Sequence, residues 1–362
     1  MRIEPYTDSE VNEVLSNLLH NQDFINFVKT NLSGNKSKFL SLPGSTFLAF
    51  QVFKQKVKKI NSVDSFQDQV KQVLSSVVDK TIDNFTFSGL DKLDPDKGYL
   101  FIGNHRDITL DSALCNFAID TKGFSTTYNA IGDNLVTTSW MGDLLRLNKC
   151  FIISRSGSSK KEIYNNLVNA SNFISRQLQS SNHVWIAQRQ GRAKDGLDKT
   201  DSAVLKMIHM NQRKLYPFEE LTKNINIVPL SISYEIDPLA PEKATKMISG
   251  SNEKVSNEDV THIFKGIMLN KGQVHLSFCP QINDDLSPED LAQAIDVQIQ
   301  NNYKIWDTNK YAYHFLKGDI DEANNYTRGL NYFDNLRVSM TNQELEYIML
   351  QYANPLKFLE DK

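Results

Sequence analysis

Tyr99-Leu100-Phe101-Ile102-Gly103-Asn104-His105-Arg106-Asp107-Ile108-Thr109-Leu110-Asp111 is a strand-like apolar run that stops abruptly at a knot of ionisable groups. Leu110, Ala113, Leu114 and Phe117 then resume the apolar pattern at helical spacing, so the knot lies between a strand and a helix. That is the carboxyl end of a sheet strand, where open α/β folds place their sites. A histidine there, with carboxylates two and six residues on, has the makings of a general base and the group that orients it.

Downstream of this stretch, strands and helices alternate. Residues 126–132 read as a strand, 135–147 as a helix, and Cys150–Ile153 as a short buried strand that ends at Ser154 and Arg155. A helix over 160–178 and a strand over 183–187 follow, the strand running straight into Gln188-Arg189-Gln190-Gly191-Arg192-Ala193-Lys194-Asp195-Gly196. A helix over 203–210 precedes the longest strand candidate, 225–234, with Pro229 inside it, and 274–278 supplies another strand. This alternation predicts an α/β domain with a largely parallel, mixed sheet flanked by helices. Residues 237–259 are polar, hold Pro238, Pro241 and Gly250, and read as an excursion from the sheet.

Upstream, Thr7-Asp8-Ser9-Glu10 is a capping-box sequence, and Val11, Val14, Leu15, Leu18 and Leu19 follow at helical intervals. Helices are also expected over 47–59 and 65–83, with a short strand at 85–88 and a turn at 94–98 leading into Tyr99. The tail is helical again, with caps at Ser287-Pro288 and Thr341-Asn342-Gln343-Glu344. The expected organisation is a helical subdomain over 1–84, an α/β domain over 85–282 and a helical C-terminal extension over 283–362.

Composition narrows the function classes. Forty Lys and Arg against 43 acidic residues give a net charge of -3, which argues against a dedicated nucleic-acid binder. Cys115, Cys150 and Cys279 are too few and too scattered for a disulfide framework or a zinc site, which fits a reducing cytoplasm. No apolar run approaches the roughly 20 residues of a spanning helix, and the N-terminus lacks a signal-peptide core, so any meeting with a membrane is from its surface. His105-Arg106-Asp107 copies a kinase tripeptide, but position 112 is Ser, and neither Asp-Phe-Gly nor a glycine-rich loop accompanies it.

In a parallel sheet the ends at 104–111, 154–155, 189–194 and the Pro229 strand with Glu235 share one edge, so a base, an acid and several cations would converge. Taken in order, these blocks resemble the glycerolipid acyltransferase family, which includes glycerol-3-phosphate and lysophosphatidate acyltransferases. Asn104-His105 to Asp111 is similar to the family's Asn-His block. Phe151-Ile152-Ile153-Ser154-Arg155 is similar to its second block, residues 189–196 to its third, and Ile227-Val228-Pro229-Leu230-Ser231-Ile232 to its fourth. Two departures stand out. Five residues rather than four separate His105 from Asp111, so either the turn holds one more residue or Asp107 replaces Asp111; Asp111, which directly precedes an apolar helix, is preferred. Gln190, or Arg189 in the other alignment, stands where the family has glutamate.

Moving an acyl group from a thioester to an alcohol needs a base on the hydroxyl, which His105 supplies, and a carboxylate, Asp111, on the other ring nitrogen. The resemblance implies that Asn104, Arg106, Arg155, Arg189, Gln190, Gly191, Arg192 and Lys194 bind substrate, with guanidinium groups and backbone amides meeting a phosphate. It implies an acyltransferase acting on the hydroxyl of a glycerophosphate-type or other polar lipid precursor. The acyl-CoA or acyl carrier protein donor is a co-substrate, and no further cofactor or metal is expected. The expected partners are the lipid acceptor, the thioester carrier and a membrane surface, with the protein cytoplasmic and peripheral at the inner face. A thioester hydrolase and a catalytically degenerate lipid- or carrier-binding protein are the rival readings. The more ordinary roles stay in view: Asp107 as a helix cap, Lys54, Lys56, Lys58 and Lys59 as a solvated face, and Cys115 as a buried thiol.

Overall fold

A computed structural model describes residues 2–34, 45–250 and 258–360. The apolar runs become seven strands of one sheet: β1 (Asn84–Ser88), β2 (Tyr99–Gly103), β3 (Tyr128–Gly132), β4 (Cys150–Ile153), β5 (Val184–Ala187), β6 (Asn226–Tyr234) and β7 (Gln273–Phe278). Their spatial order is β1-β7-β6-β2-β5-β3-β4. From β6 through β4 the strands run parallel, whereas β7 is antiparallel to β6 and carries β1 parallel to itself. The fold is the α/β class read from the alternation, and the carboxyl ends of β2, β3, β4, β5 and β6 lie along one edge.

β2 is buried along its whole length, which is why its sequence is a continuous apolar run rather than an alternating one. Leu100 and Ile102 pack on one face with Phe151, Ile174, Leu205 and Ile295, beneath helices Lys160–Gln179, Ser202–His209 and Pro288–Asn301. Tyr99 and Phe101 pack on the other with Leu114, Ile119 and Leu276, against helix Leu110–Asp120 and the end of helix Val63–Thr81. Each fully buried side chain of this size contributes about 1.5–3 kcal/mol. Pro229 is tolerated in an interior strand because its carbonyl accepts the Cys279 N–H at 2.9 Å, on the side where pairing with β7 begins only at Leu230.

Helices Asp8–His20, Gln22–Gly34, Ser45–Val57 and Val63–Thr81 form the N-terminal part; their apolar faces share a cluster with Trp140 and Leu147 of helix Ser139–Leu147. Glu10 accepts the Thr7 N–H at 2.9 Å, as its capping sequence predicts, and the Ile3 carbonyl covers the outer edge of β4 by taking the Ile152 N–H at 3.0 Å. Lys56, Lys58 and Lys59 are exposed. At the other end, helices Asp307–Leu316, Thr327–Arg337 and Asn342–Glu360 build a cluster around Tyr311, Phe333 and Tyr352.

The excursion from the sheet expected over 237–259 lies between β6 and β7. The polar excursion over 237–259 contains helix Ala240–Ser249, and helix Glu258–Met268 begins before its end; residues 251–257, including Ser251, lie outside the described residues. Pro241 sits in the first helical turn, where its missing N–H costs nothing, and Gly250 closes the helix at φ 60°. Ala240 and Ala244 pack into the C-terminal cluster, so two small residues sufficed to bury a face that the polar composition hid.

Two histidines outside the first block, His183 and His275, serve the sheet. His275 meets the hydroxyls of Thr86 at 2.7 Å and Ser88 at 3.1 Å. His183 is fully buried, and its Nδ1 accepts the Tyr99 N–H at 3.3 Å. Burial, with Lys149 nearby, pulls the His183 pKa down to about 4, so the native state refuses a proton that the unfolded chain binds below about 6.5. His183 therefore stabilises the fold fully above about pH 6.5, and this contribution is lost as pH falls toward 4. The urea midpoint should drop across that window, and His183→Phe should flatten the drop; equal pH slopes in both proteins would rule this out.

Candidate active site

β2 stops at Gly103 because the next residue takes over the ladder with its side chain. Asn104 Oδ1 accepts the Ile232 N–H at 2.8 Å, and its Nδ2 donates to the Ile232 carbonyl at 3.0 Å and to Asp198 Oδ2 at 3.1 Å. The chain then turns His105 outward, with 16% of its side chain exposed and Nδ1 2.9 Å from Asp111 Oδ2. The same oxygen accepts the N–H groups of Arg106 at 2.7 Å and Asp107 at 3.0 Å, and Oδ1 accepts the Tyr234 hydroxyl at 2.9 Å. Burial, reinforced by the Asp111 charge, pushes the Tyr234 phenol well above its ordinary range, so it stays a donor. An ionised carboxylate only accepts, so neutral His105 carries its proton on Nδ1 and keeps the lone pair on Nε2.

Asp107, the other carboxylate of the block, is committed elsewhere. Its Oδ1 accepts the N–H groups of Thr109 at 2.9 Å and Leu110 at 2.8 Å, capping helix Leu110–Asp120. Gly266 of helix Glu258–Met268 packs against it so closely that a Cβ would lie 2.3 Å from Asp107 Oδ2. Burial, with the Asp111 charge, pushes the Asp107 carboxyl upward. The extra residue between His105 and Asp111 is thus accommodated by a capping turn.

The other strand ends meet His105 around a cleft of about 530 Å³. After β3, Asp133 collects the Ser154 hydroxyl at 3.1 Å and the N–H groups of Arg155 at 3.2 Å and Ser156 at 3.1 Å, shaping the turn that presents Arg155. Burial pushes the Asp133 carboxyl up, but hydrogen bonds from Ser156 and Ser154 outweigh it and hold the pKa below the usual range. After β5 the third block folds back, with the Gln188 N–H on the Gly103 carbonyl and the Ala193 N–H on the His105 carbonyl, both at 2.8 Å. Gly191, at φ 76°, makes the turn. Arg155, Arg189, Gln190, Gly191, Arg192 and Lys194 all line the cleft with His105. Among the described residues, the Arg155 and Arg189 guanidinium groups have no hydrogen-bond or ion-pair partner.

Two residues expected to touch substrate do not line the cleft. Asn104 is consumed by β6, as above. Arg106 turns inward and is 6% exposed, its Nη2 2.5 Å from Asp198 Oδ2 and 3.2 Å from the Gly196 carbonyl. Glu235, at the end of β6, also leaves the cleft: Arg328 pairs with it at 2.5 and 2.7 Å. Cys115 is fully buried, and burial pushes its thiol far up, which removes it as a nucleophile.

The cleft's remaining wall was not anticipated. Glu242, Lys243 and Lys246 reach it from helix Ala240–Ser249, and Asp259 and His262 from helix Glu258–Met268. Arg192 Nη2 lies 3.0 Å from His262 Nδ1. Burial lowers the Lys243 pKa against the opposing pull of Asp237. Besides Lys243, whose ammonium is paired with Asp237, five Lys and Arg side chains line the cleft against three carboxylates, an anion-attracting surface on a protein of net charge -3. Among the described residues no group of three or more His, Cys, Asp and Glu side chains is placed to hold a metal.

Residues 84–218 match a family model described as Acyltransferase. No curated protein matches the chain. Among solved structures, a 1-acyl-sn-glycerophosphate (LPA) acyltransferase, PlsC, from Thermotoga maritima shares 13% identity over 80% of this chain and 94% of its own, with a TM-score of 0.41. The signal recognition particle receptor FtsY from Elizabethkingia anophelis shares 10% over 80% and 92%, with a TM-score of 0.23. At these values the activity of neither protein transfers to this chain. The matched segment contains His105, Asp111, Arg155 and the whole third block, so each of these lies in the part of the chain that is similar to the Acyltransferase family.

Proposed function

We propose that the protein transfers a fatty acyl group from a thioester, acyl-CoA or acyl carrier protein, to the hydroxyl of a glycerophosphate-type or other polar lipid precursor. The observation that carries this reading is the His105–Asp111 pair on the rim of a cleft shared with Arg155, Arg189 and Arg192. His105 Nε2 takes the acceptor's hydroxyl proton as its oxygen attacks the thioester carbonyl carbon. The tetrahedral adduct collapses by breaking the C–S bond, and the imidazolium returns the proton to the departing thiolate. Asp111 stabilises the imidazolium in between. Arg155, Arg189, Arg192 and Lys194 hold the acceptor's phosphate beside the base, with the Gly191 amide among the donors. Asn104 and Arg106 shape the turn instead of touching substrate. The protein meets its lipid from the surface on the cytoplasmic side; among the described residues no helix is long and apolar enough to cross a membrane.

The test is a panel assay of purified protein, with acyl-CoA and acyl carrier protein donors against glycerol-3-phosphate, lysophosphatidate and lyso-aminolipids. Thiol release that depends on the acceptor is expected; equal release of free acid with and without acceptor would make the protein a hydrolase. Gln190 lies exposed at the cleft's mouth beside Arg189. Gln190→Glu adds a solvent-screened negative charge there, so the acceptor KM should rise about twofold to fivefold with kcat unchanged. A scaffold that only binds lipid would show no turnover before or after that change.

A further inference from the structure

Helix Ala240–Ser249 lies outside the family-matched segment, yet it sends a buried cation to the turn that follows His105. Lys243 is 4% exposed, and its Nζ donates to the Arg106 carbonyl at 2.9 Å and to Asp237 Oδ2 at 2.5 Å. Asp237 is itself held by the C-terminal helix Asn342–Glu360. Gln351 Nε2 donates to its Oδ2 at 2.9 Å, and its N–H donates to the Tyr352 hydroxyl at 2.7 Å. Two residues on, Asn354 donates to the Asp195 carbonyl at 2.7 Å, and a Cβ on Gly196 would lie 2.0 Å from the Gln351 carbonyl. One helix therefore backs both the first and the third block.

The consequence lies in two successive peptide planes. In the His105–Arg106 plane, the carbonyl is held by the Ala193 N–H and the amide by Asp111 Oδ2, at 2.8 and 2.7 Å. In the Arg106–Asp107 plane, the carbonyl is held by Lys243 and the amide by the same Asp111 oxygen, at 2.9 and 3.0 Å. Each plane is clamped at both edges, and the shared oxygen is the one that bonds His105 Nδ1. Behind the clamp is a cavity of about 20 Å³, room for one water, lined by Arg106, Asp237, Tyr303 and Gln351 among others. Arg106 Nε and Gln351 Oε1 are buried without a protein partner.

We infer that Lys243 is a positioning residue for the His105–Asp111 pair, with helix Asn342–Glu360 as its brace. Freeing the Arg106 carbonyl lets its peptide plane rotate and carries Asp111 Oδ2 off the imidazole. This inference rests on the proposed role of His105 as base.

The test compares Lys243→Met, the double variant Lys243→Met with Asp237→Asn, and Gln351→Leu. Two readouts are taken: steady-state kinetics, and the proton NMR resonance of His105 Nδ1–H, assigned by its loss in His105→Asn. The double variant removes the buried charge that Lys243→Met alone leaves uncompensated, so it keeps the test open if the single variant unfolds. Lys243→Met and the double variant are expected to lower kcat about tenfold to 100-fold and to shift or broaden the resonance. The acceptor KM should stay within about threefold. Gln351→Leu, which loosens Asp237, should lower kcat about threefold to tenfold. Recovery of wild-type kcat in the double variant would reduce Lys243 to a charge partner of Asp237 and overturn the inference. A KM effect without a kcat effect would make it a substrate contact instead, and a wild-type resonance in every folded variant would also overturn it. If the wild-type protein turns over no donor and acceptor pair, the proposed function fails, while the resonance still reports on the brace.

Discussion

His105→Ala lowers turnover by on the order of 100 to 10,000-fold while the protein keeps its fold. The imidazole is part-exposed on the cleft's rim, so removing it leaves no buried void. Asp111, which loses one donor, keeps three: the N–H groups of Arg106 and Asp107 and the Tyr234 hydroxyl. The stability change should therefore stay within about 1 kcal/mol. Initial rates alongside a thermal melt separate the two effects, and unchanged turnover would remove His105 from the mechanism.

Asp111 allows a sharper experiment, because amide and alanine variants fail for different reasons. In Asp111→Asn, the two backbone N–H groups on the Oδ2 side require an acceptor, so the amide oxygen settles there and the nitrogen faces Tyr234, whose hydroxyl can turn to accept. His105 then keeps its Nδ1–H tautomer and loses only the charge that stabilises its imidazolium. The expected loss of turnover is on the order of 100-fold, short of the roughly 10,000-fold loss where an amide imposes the wrong tautomer. Asp111→Ala instead strands the three donors at about 1–3 kcal/mol each, and should melt several degrees lower as well as lose activity. Equal stability in the two variants would show that the turn does not depend on this carboxylate.

The sheet was legible because β2, β4 and β5 are buried on both faces and so spell themselves as unbroken apolar runs. The direction of the side chains just beyond a strand was not. Strand alternation ends at Gly103, and nothing in the sequence says that His105 faces the cleft while Arg106 turns toward Asp198. The preference for Asp111 over Asp107 rested on the apolar helix behind it, and the geometry assigns Asp107 to the cap of that helix. The wall made by Glu242, Lys243, Lys246, Asp259 and His262 was hidden because helix Ala240–Ser249 buries mainly alanines, leaving a polar composition. The signal present was Pro241 in the first turn and Gly250 after the last.

Among the described residues β1 pairs with β7 alone, and the register joins Asn84 to Gln273 across about half of the chain. Closing so long a loop before any pairing reward is slow, so Phe85 and Phe87 remain an unmatched, sticky ribbon until the distant partner arrives. The segment 84–218 ends before that partner begins. Cut out by itself, it would leave its first strand without a neighbour and β2 without β6, and it would aggregate rather than fold.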